Sequence, residues 1–327
     1  MIKFFSTGYL SRYLFIFIFG LILWIPSLLF PTYYNGISSF AFNQISLITT
    51  QNLFLQTIAS FFFTLITAFL LNKCAIDNGL SGKMSTLIAL VYLILTSSLA
   101  GDFHNNPVIW INFILVFVLN NLMRLPYVTN TIPVIFNASF LIGVASLFYS
   151  PLVFLVLLIW ISVIVHRIVT WRNFVVSLVG VVLPYFLLLT LFFTIGDLPE
   201  ESYTIFETLQ INTDFLMITD PLEIAIAVIL LLIIIISSIG IANHIREKNI
   251  NLRRNLIITF FYIAFLLLIL FVFTKSLVLS LLLCIPSAIL MGHWLGNIKR
   301  TRYYDLAFYA VITLMVLNQY LYLILNL

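Results

Sequence analysis

The chain has 327 residues, of which 63% are hydrophobic and 8% charged, with a formal net charge of +4. Water-soluble domains carry about 45–50% apolar and about 25% charged residues, so this composition excludes a secreted enzyme, a nucleic-acid-binding module and a cytosolic oxidoreductase. With about 20 apolar residues needed per crossing, the chain has room for about ten or eleven membrane spans and for no soluble domain of ordinary size.

Apolar runs bounded by polar residues, Pro or Gly predict spans over 13–30, 53–71, 84–100, 108–122, 132–148, 151–166, 173–195, 222–242, 255–274, 277–292 and 304–325. The expected fold is therefore all-α, a polytopic transmembrane helix bundle of about eleven spans within a range of ten to twelve, and residues 1–327 form a single integral membrane domain. Several runs are near 16 residues, short for a helix that rises 1.5 Å per residue through about 30 Å of hydrocarbon. The first run follows a charged start, as in a signal sequence, but no small-residue cleavage site follows Pro31, and the segment is expected to stay as an anchor.

Lys and Arg concentrate in cytoplasmic loops. With the N-terminus inside, fourteen of the fifteen cations fall in inner segments: Lys3 and Arg12; Lys73 and Lys83; Arg124; Arg167 and Arg172; Arg246, Lys248, Arg253 and Arg254; Lys299, Arg300 and Arg302. Lys275 alone falls outside. Eight of the eleven acids take the opposite side, and a wrong span count would mix the signs. The map thus predicts a cytoplasmic N-terminus and an outer C-terminus. The basic balance reflects orientation toward anionic headgroups and gives no nucleic-acid footprint.

Between the spans, Pro31–Asn52 and Gly196–Pro221 read as interfacial helix or loop, with a lid over an outward cavity as the functional alternative. Pro26, Pro184 with Gly180, and Pro286 with Gly292 interrupt apolar runs and predict packing kinks or a pocket lining. The stretch 132–195 is echoed by 255–325: each reads as a span, a minimal outer turn, a span ending in His (His166; His293), a basic loop and a further span.

No Lys, Arg, Asp or Glu falls at a span centre, which argues against ion-coupled transport, because such carriers hold a carboxylate at depth. The polar residues at depth, among them Asn112, Asn120, Asn121, Ser139 and Ser237, are expected to bond helix to helix. Gly101-Asp102-Phe103-His104-Asn105-Asn106-Pro107 is the most chemical-looking loop: Asp102 and His104 are the candidate catalytic pair, as base and orienter, against a plain reading of a turn whose Asp or Asn caps the next helix from Pro107. Arg167, Arg172, Arg253, Arg254, Arg300 and Arg302 are the candidate lipid or phosphate contacts, since Arg binds phosphate in bidentate fashion, against a role in topology alone. Cys74 and Cys284 carry no disulfide signal. His104 lies across the membrane from His166, His244 and His293, which opposes a four-histidine metal site. No cofactor and no metal is expected, and no dinucleotide, phosphate-loop or zinc-protease pattern occurs.

The start Met1-Ile2-Lys3-Phe4-Phe5, the turn Leu147-Phe148-Tyr149-Ser150-Pro151-Leu152, and the run with Trp171-Arg172, Gly180 and Pro184-Tyr185 resemble a family of uncharacterised multi-pass inner-membrane proteins of Bacteroidota, a domain of unknown function. The resemblance spans essentially the whole chain and implies inner-membrane localisation. It implies no activity, cofactor or site residue.

Three functions stay open. The reading taken forward is a non-catalytic scaffold or subunit in envelope biogenesis, with membrane lipids and an envelope protein as partners. The alternatives are an uncoupled lipid or apolar-solute transporter or flippase, and an envelope glycosyltransferase or polymerase acting on polyprenyl-linked sugars. The last needs an outer metal, because Lys275 is the one outer cation available to a pyrophosphate.

Overall fold

The computed structural model describes residues 5, 10–31, 52–82, 85–97, 106–195, 221–243, 247–273, 277–297 and 313. Among these residues every regular element is helical and there is no strand, as backbone groups in hydrocarbon require. In chain order the helices are α1 (Leu10–Leu29), α2 (Leu53–Asp77), α3 (Leu87–Thr96), α4 (Pro107–Arg124), α5 (Ile132–Phe148), α6 (Val156–Val165), α7 (Trp171–Ile195), α8 (Pro221–Ala242), α9 (Ile250–Phe273) and α10 (Cys284–Asn297). Short 3-10 stretches occupy Ser150–Leu155 before α6 and Leu277–Leu283 before α10.

Among the described residues, six segments are long and apolar enough to cross a membrane: Ser11–Leu29, Leu53–Asp77, Pro107–Tyr127, Trp171–Thr194, Ile250–Phe273 and Val278–Asn297. This is a membrane protein of the all-α class. Ten of the eleven predicted runs coincide with described helices, and the run 304–325 lies outside the described residues apart from Thr313. The run 84–100 holds a shorter helix than predicted. Its helix, α3, has 10 residues, a rise of about 15 Å, half the hydrocarbon thickness. Every one of its residues is buried. A helix enclosed on all sides by protein is as apolar as one that faces lipid, so hydropathy cannot separate the two.

Around α3 the bundle is arranged in contact pairs: α3 lies against α2 and α10, α4 joins α2 to α5, α6 lies on α9, and α8 lies on α10. Small residues mark the close approaches, as expected where lipid supplies no hydrophobic drive between helices. Gly292 of α10 admits Ile88 of α3, Gly240 of α8 lies under the Trp294 indole, and Gly180 of α7 meets Ser139 of α5. Many polar side chains at depth find a partner in one of two ways. Thr57, Thr64, Thr67, Ser139 and Ser237 donate to carbonyls of their own helices. Others cross between helices: Tyr185 Oη donates to Ser146 Oγ at 2.7 Å, Trp160 Nε1 to Ser177 Oγ at 2.9 Å, and Asn112 Nδ2 to the Leu281 carbonyl at 3.1 Å.

The prolines sort by position. Pro26 and Pro184 lie within α1 and α7, which continue through them. Pro286 is the third residue of α10, where its missing N–H costs little, and the preceding backbone is 3-10 rather than kinked α-helix.

Candidate functional site: the basic end of the bundle

The C-terminal turns of α2, α4, α6 and α10 and the first turn of α9 meet at one end of the molecule. Local sequence sets this up at the end of α2. Asn78 closes the helix, Gly79 takes φ 73°, and Gly79 N and Leu80 N donate to the Ile76 and Ala75 carbonyls at 3.1 and 2.8 Å. This is the double closure that a glycine after a helix permits. It turns Leu80 inward, where its side chain is fully buried and its carbonyl accepts from His293 Nδ1 of α10 at 2.5 Å. His293 Nε2 is then left to accept from Asn297 Nδ2 at 3.3 Å, which fixes the tautomer.

Five amide side chains tie the neighbouring segments together. Asn72 Nδ2 donates to the Ser85 carbonyl at 2.9 Å, and Asn255 Nδ2 of α9 donates to the Asn78 carbonyl at 3.4 Å. Asn78 Nδ2 reaches the Cys74 carbonyl at 2.8 Å and Asn120 Oδ1 of α4 at 3.5 Å. Lys248 Nζ donates to Asn297 Oδ1 at 3.5 Å. Near the start of the chain, the Phe5 carbonyl accepts from Thr86 N at 2.9 Å. Segments that the charge map assigns to a single side are thus bonded to one another.

The end of α6 repeats the closure with a different residue. His166 ends the helix, and Arg167 N and Ile168 N donate to the Ile164 and Val163 carbonyls at 3.0 and 3.1 Å. The residue in the left-handed conformation is Arg167, at φ 61°, where a Cβ costs about 1–2 kcal/mol. His166 itself is 5% exposed. The Leu122 carbonyl of α4 is close enough to favour a proton on the ring, but neither ring nitrogen reaches a hydrogen-bond partner. Ser162 Oγ, one turn earlier on the same face of α6, is also buried without a partner. Arg254 of α9 acts on the imidazole from across the α6–α9 contact.

Burial first, and the Arg254 charge second, hold the His166 pKa down from 6.5 to about 4. The sign of the stability effect follows. Between these two values the unfolded chain takes up a proton that the folded protein refuses, so stability is lost as pH falls through that window. After allowance for screening near the surface, the loss is on the order of 2 kcal/mol. Thermal unfolding in detergent should show a falling midpoint from pH 6.5 toward 4 that His166→Gln flattens. Equal slopes in the two proteins would remove His166 from the account.

Of the predicted phosphate contacts, Arg254 of α9 lies where its charge acts on His166, while Arg167 in the turn after α6, Arg172 at the start of α7 and Arg253 at the start of α9 are exposed. Arg300 and Arg302 lie outside the described residues, as do the candidate catalytic residues Asp102 and His104. The described part of that loop follows the plain reading: Asn106 Oδ1 accepts from Val108 N at 3.0 Å, and Pro107 opens α4. Sequence reasoning missed Asn72, Asn78, Asn255 and the His293 pair. Their signal was present, since each is a polar residue at the border between an apolar run and a basic segment.

A second polar cluster lies in the bundle interior. The Tyr92 hydroxyl of α3 faces Thr67 of α2, Asn112 of α4, Tyr262 of α9 and Cys284 of α10. The hydroxyls of Tyr92 and Tyr262 and the Oδ1 of Asn112 are buried without hydrogen-bond partners.

No protein-family model, no curated protein and no solved structure matches this chain.

Proposed function

We propose that the protein is a scaffold or subunit in envelope biogenesis, seated in the bacterial inner membrane with its basic end toward the cytoplasm. In this reading the chain crosses about eleven times, from a cytoplasmic N-terminus to an outer C-terminus, and its partners are membrane lipids and an envelope protein. One observation carries the proposal: the amide and histidine bonds that tie α2, α4, α9 and α10 together at the basic end. A protein that alternates between two openings breaks the contacts at each end in turn. A scaffold needs that end fixed, and buried amide pairs that leave an unsatisfied carbonyl when broken keep it fixed.

A second reading, an uncoupled lipid or apolar-solute transporter, draws on the two 3-10 stretches that interrupt spans and on the polar cluster of Tyr92, Asn112 and Tyr262. Discontinuous segments of this kind line binding sites in transporters. The enzyme reading rests on Asp102 and His104.

Complementation of a deletion strain separates these readings. Under the scaffold proposal, Asp102→Asn and His104→Ala restore growth and envelope glycans to the wild-type level, and the protein is recovered from native lipid with an envelope protein in fixed stoichiometry. Failure of either variant to complement, with normal protein level, would transfer the assignment to the enzyme reading.

A further inference from the structure

We propose that Ser162, His166 and Arg254, where α4, α6 and α9 meet, form a binding site for a phosphate group. The scaffold proposal does not require this site, and the site does not require the scaffold.

Three independent features converge on it. First, two polar side chains on one face of α6 are buried with unused hydrogen-bonding atoms: both ring nitrogens of His166 and the hydroxyl of Ser162. Ser162 offers an O–H donor, and a neutral imidazole offers one N–H. Neither group matches a purely apolar neighbour, since a buried polar atom left without a partner is costly.

Second, α9 begins Ile250-Asn251-Leu252-Arg253-Arg254, with no acid in its first turn. The N-terminal end of a helix carries partial positive charge, so cations there are unfavourable and anions favourable. As the fourth and fifth residues of α9, Arg253 and Arg254 gain nothing from that charge. A phosphate beside them reverses the sign of the local balance, and Arg254, half-buried and close to His166, presents the planar fork that matches phosphate oxygens. Third, Arg167 occupies the left-handed position that Gly79 fills at the equivalent turn after α2. That choice sets a second guanidinium-bearing residue beside His166.

The donors are one guanidinium, one imidazole N–H and one hydroxyl, with no carboxylate in the cluster. This set suits a phosphomonoester or phosphodiester better than a carboxylate, which has fewer acceptor oxygens to fill it. The phosphate can be that of a lipid headgroup or a free phosphate in the aqueous phase.

The test is thermal unfolding of the full chain in uncharged detergent, titrated separately with short-chain phosphatidylglycerol, short-chain phosphatidylcholine and sodium phosphate, each against chloride at equal ionic strength. At least one phosphate-bearing probe is expected to raise the midpoint along a saturating curve. Response to a lipid alone identifies a headgroup site, and response to inorganic phosphate as well identifies a site for phosphate in general. Arg254→Gln should weaken apparent affinity at least tenfold, Ser162→Ala and His166→Gln severalfold each, and Arg253→Gln, one residue away and exposed, less than twofold. If Arg254→Gln fails to fold, Arg254→Lys replaces it, with the same tenfold loss expected because the fork is gone while the charge remains. A shift that does not saturate, no shift with any probe, or equal losses for Arg253→Gln and Arg254→Gln would overturn the proposal. Because the readout is ligand binding, failure here leaves the complementation result intact, and the reverse also holds.

Discussion

Replacing Gly143 by Ala is expected to lower the stability of the purified protein by about 3 kcal/mol, at the upper end of overpacking costs because the clash is with backbone. A methyl group built at this position would sit 2.6 Å from the Val181 carbonyl oxygen of α7 and 2.8 Å from the Pro184 ring. The first is main chain in the middle of a 25-residue helix and the second is a closed ring, so neither can turn aside as a long side chain would. The clash is relieved by moving α7 away from α5, which breaks the Tyr185–Ser146 hydrogen bond and opens the most extensive helix contact among the described residues. Gly82 is the control, since nothing lies within 4 Å of a methyl group added there. Thermal unfolding of both Ala variants decides the matter: if Gly143→Ala matches Gly82→Ala, helix packing at this crossing is looser than argued here.

A second large effect is expected at Asn112, with a companion of opposite sign. Asn112→Leu removes the donor to the Leu281 carbonyl, which belongs to a 3-10 stretch with few other partners to offer. The expected loss is about 2–3 kcal/mol, the cost of a carbonyl left unsatisfied where water is scarce. Tyr92→Phe removes a hydroxyl that has no partner, so the same reasoning makes it neutral or stabilising by about 1 kcal/mol. If Tyr92→Phe is instead destabilising by more than that, a water or a polar solute occupies the space between Tyr92, Asn112 and Tyr262. That outcome would strengthen the transporter reading, because it gives the interrupted spans something to hold.

Much of the helix order was legible in the sequence, because apolar runs in a chain this poor in charge have sharp polar borders. The run over 173–195 matched the 25-residue α7 to within two residues, whereas that over 53–71 stopped six residues short of the end of α2. Two kinds of information were not. Hydropathy reports that a residue avoids water without saying whether it faces lipid or protein, so the enclosure of α3 on every side by other helices was not legible. It also cannot tell α from 3-10 backbone, so the runs over 151–166 and 277–292 each concealed a change of helix type. At the basic end, composition identified the arginines but not their neighbours. Arg254 and His166 are far apart in sequence and become adjacent only through the α6–α9 contact, while Arg253, its chain neighbour, is turned outward. The echo between 132–195 and 255–325 gains one point from the structure. In both halves the second helix is preceded by 3-10 backbone and has a buried histidine near its end, His166 directly after Val165 and His293 four residues before Asn297.

The brevity of α3 has a consequence for how the chain is made. A ten-residue segment is too short to be released alone into lipid by the insertion machinery, yet the helix that shelters it, α10, emerges from the ribosome nearly two hundred residues later. The early part of the protein must therefore wait, incompletely covered, until synthesis is almost finished. Nascent chains that stop before α10 are expected to be substrates for membrane quality-control proteases, whatever the finished protein does.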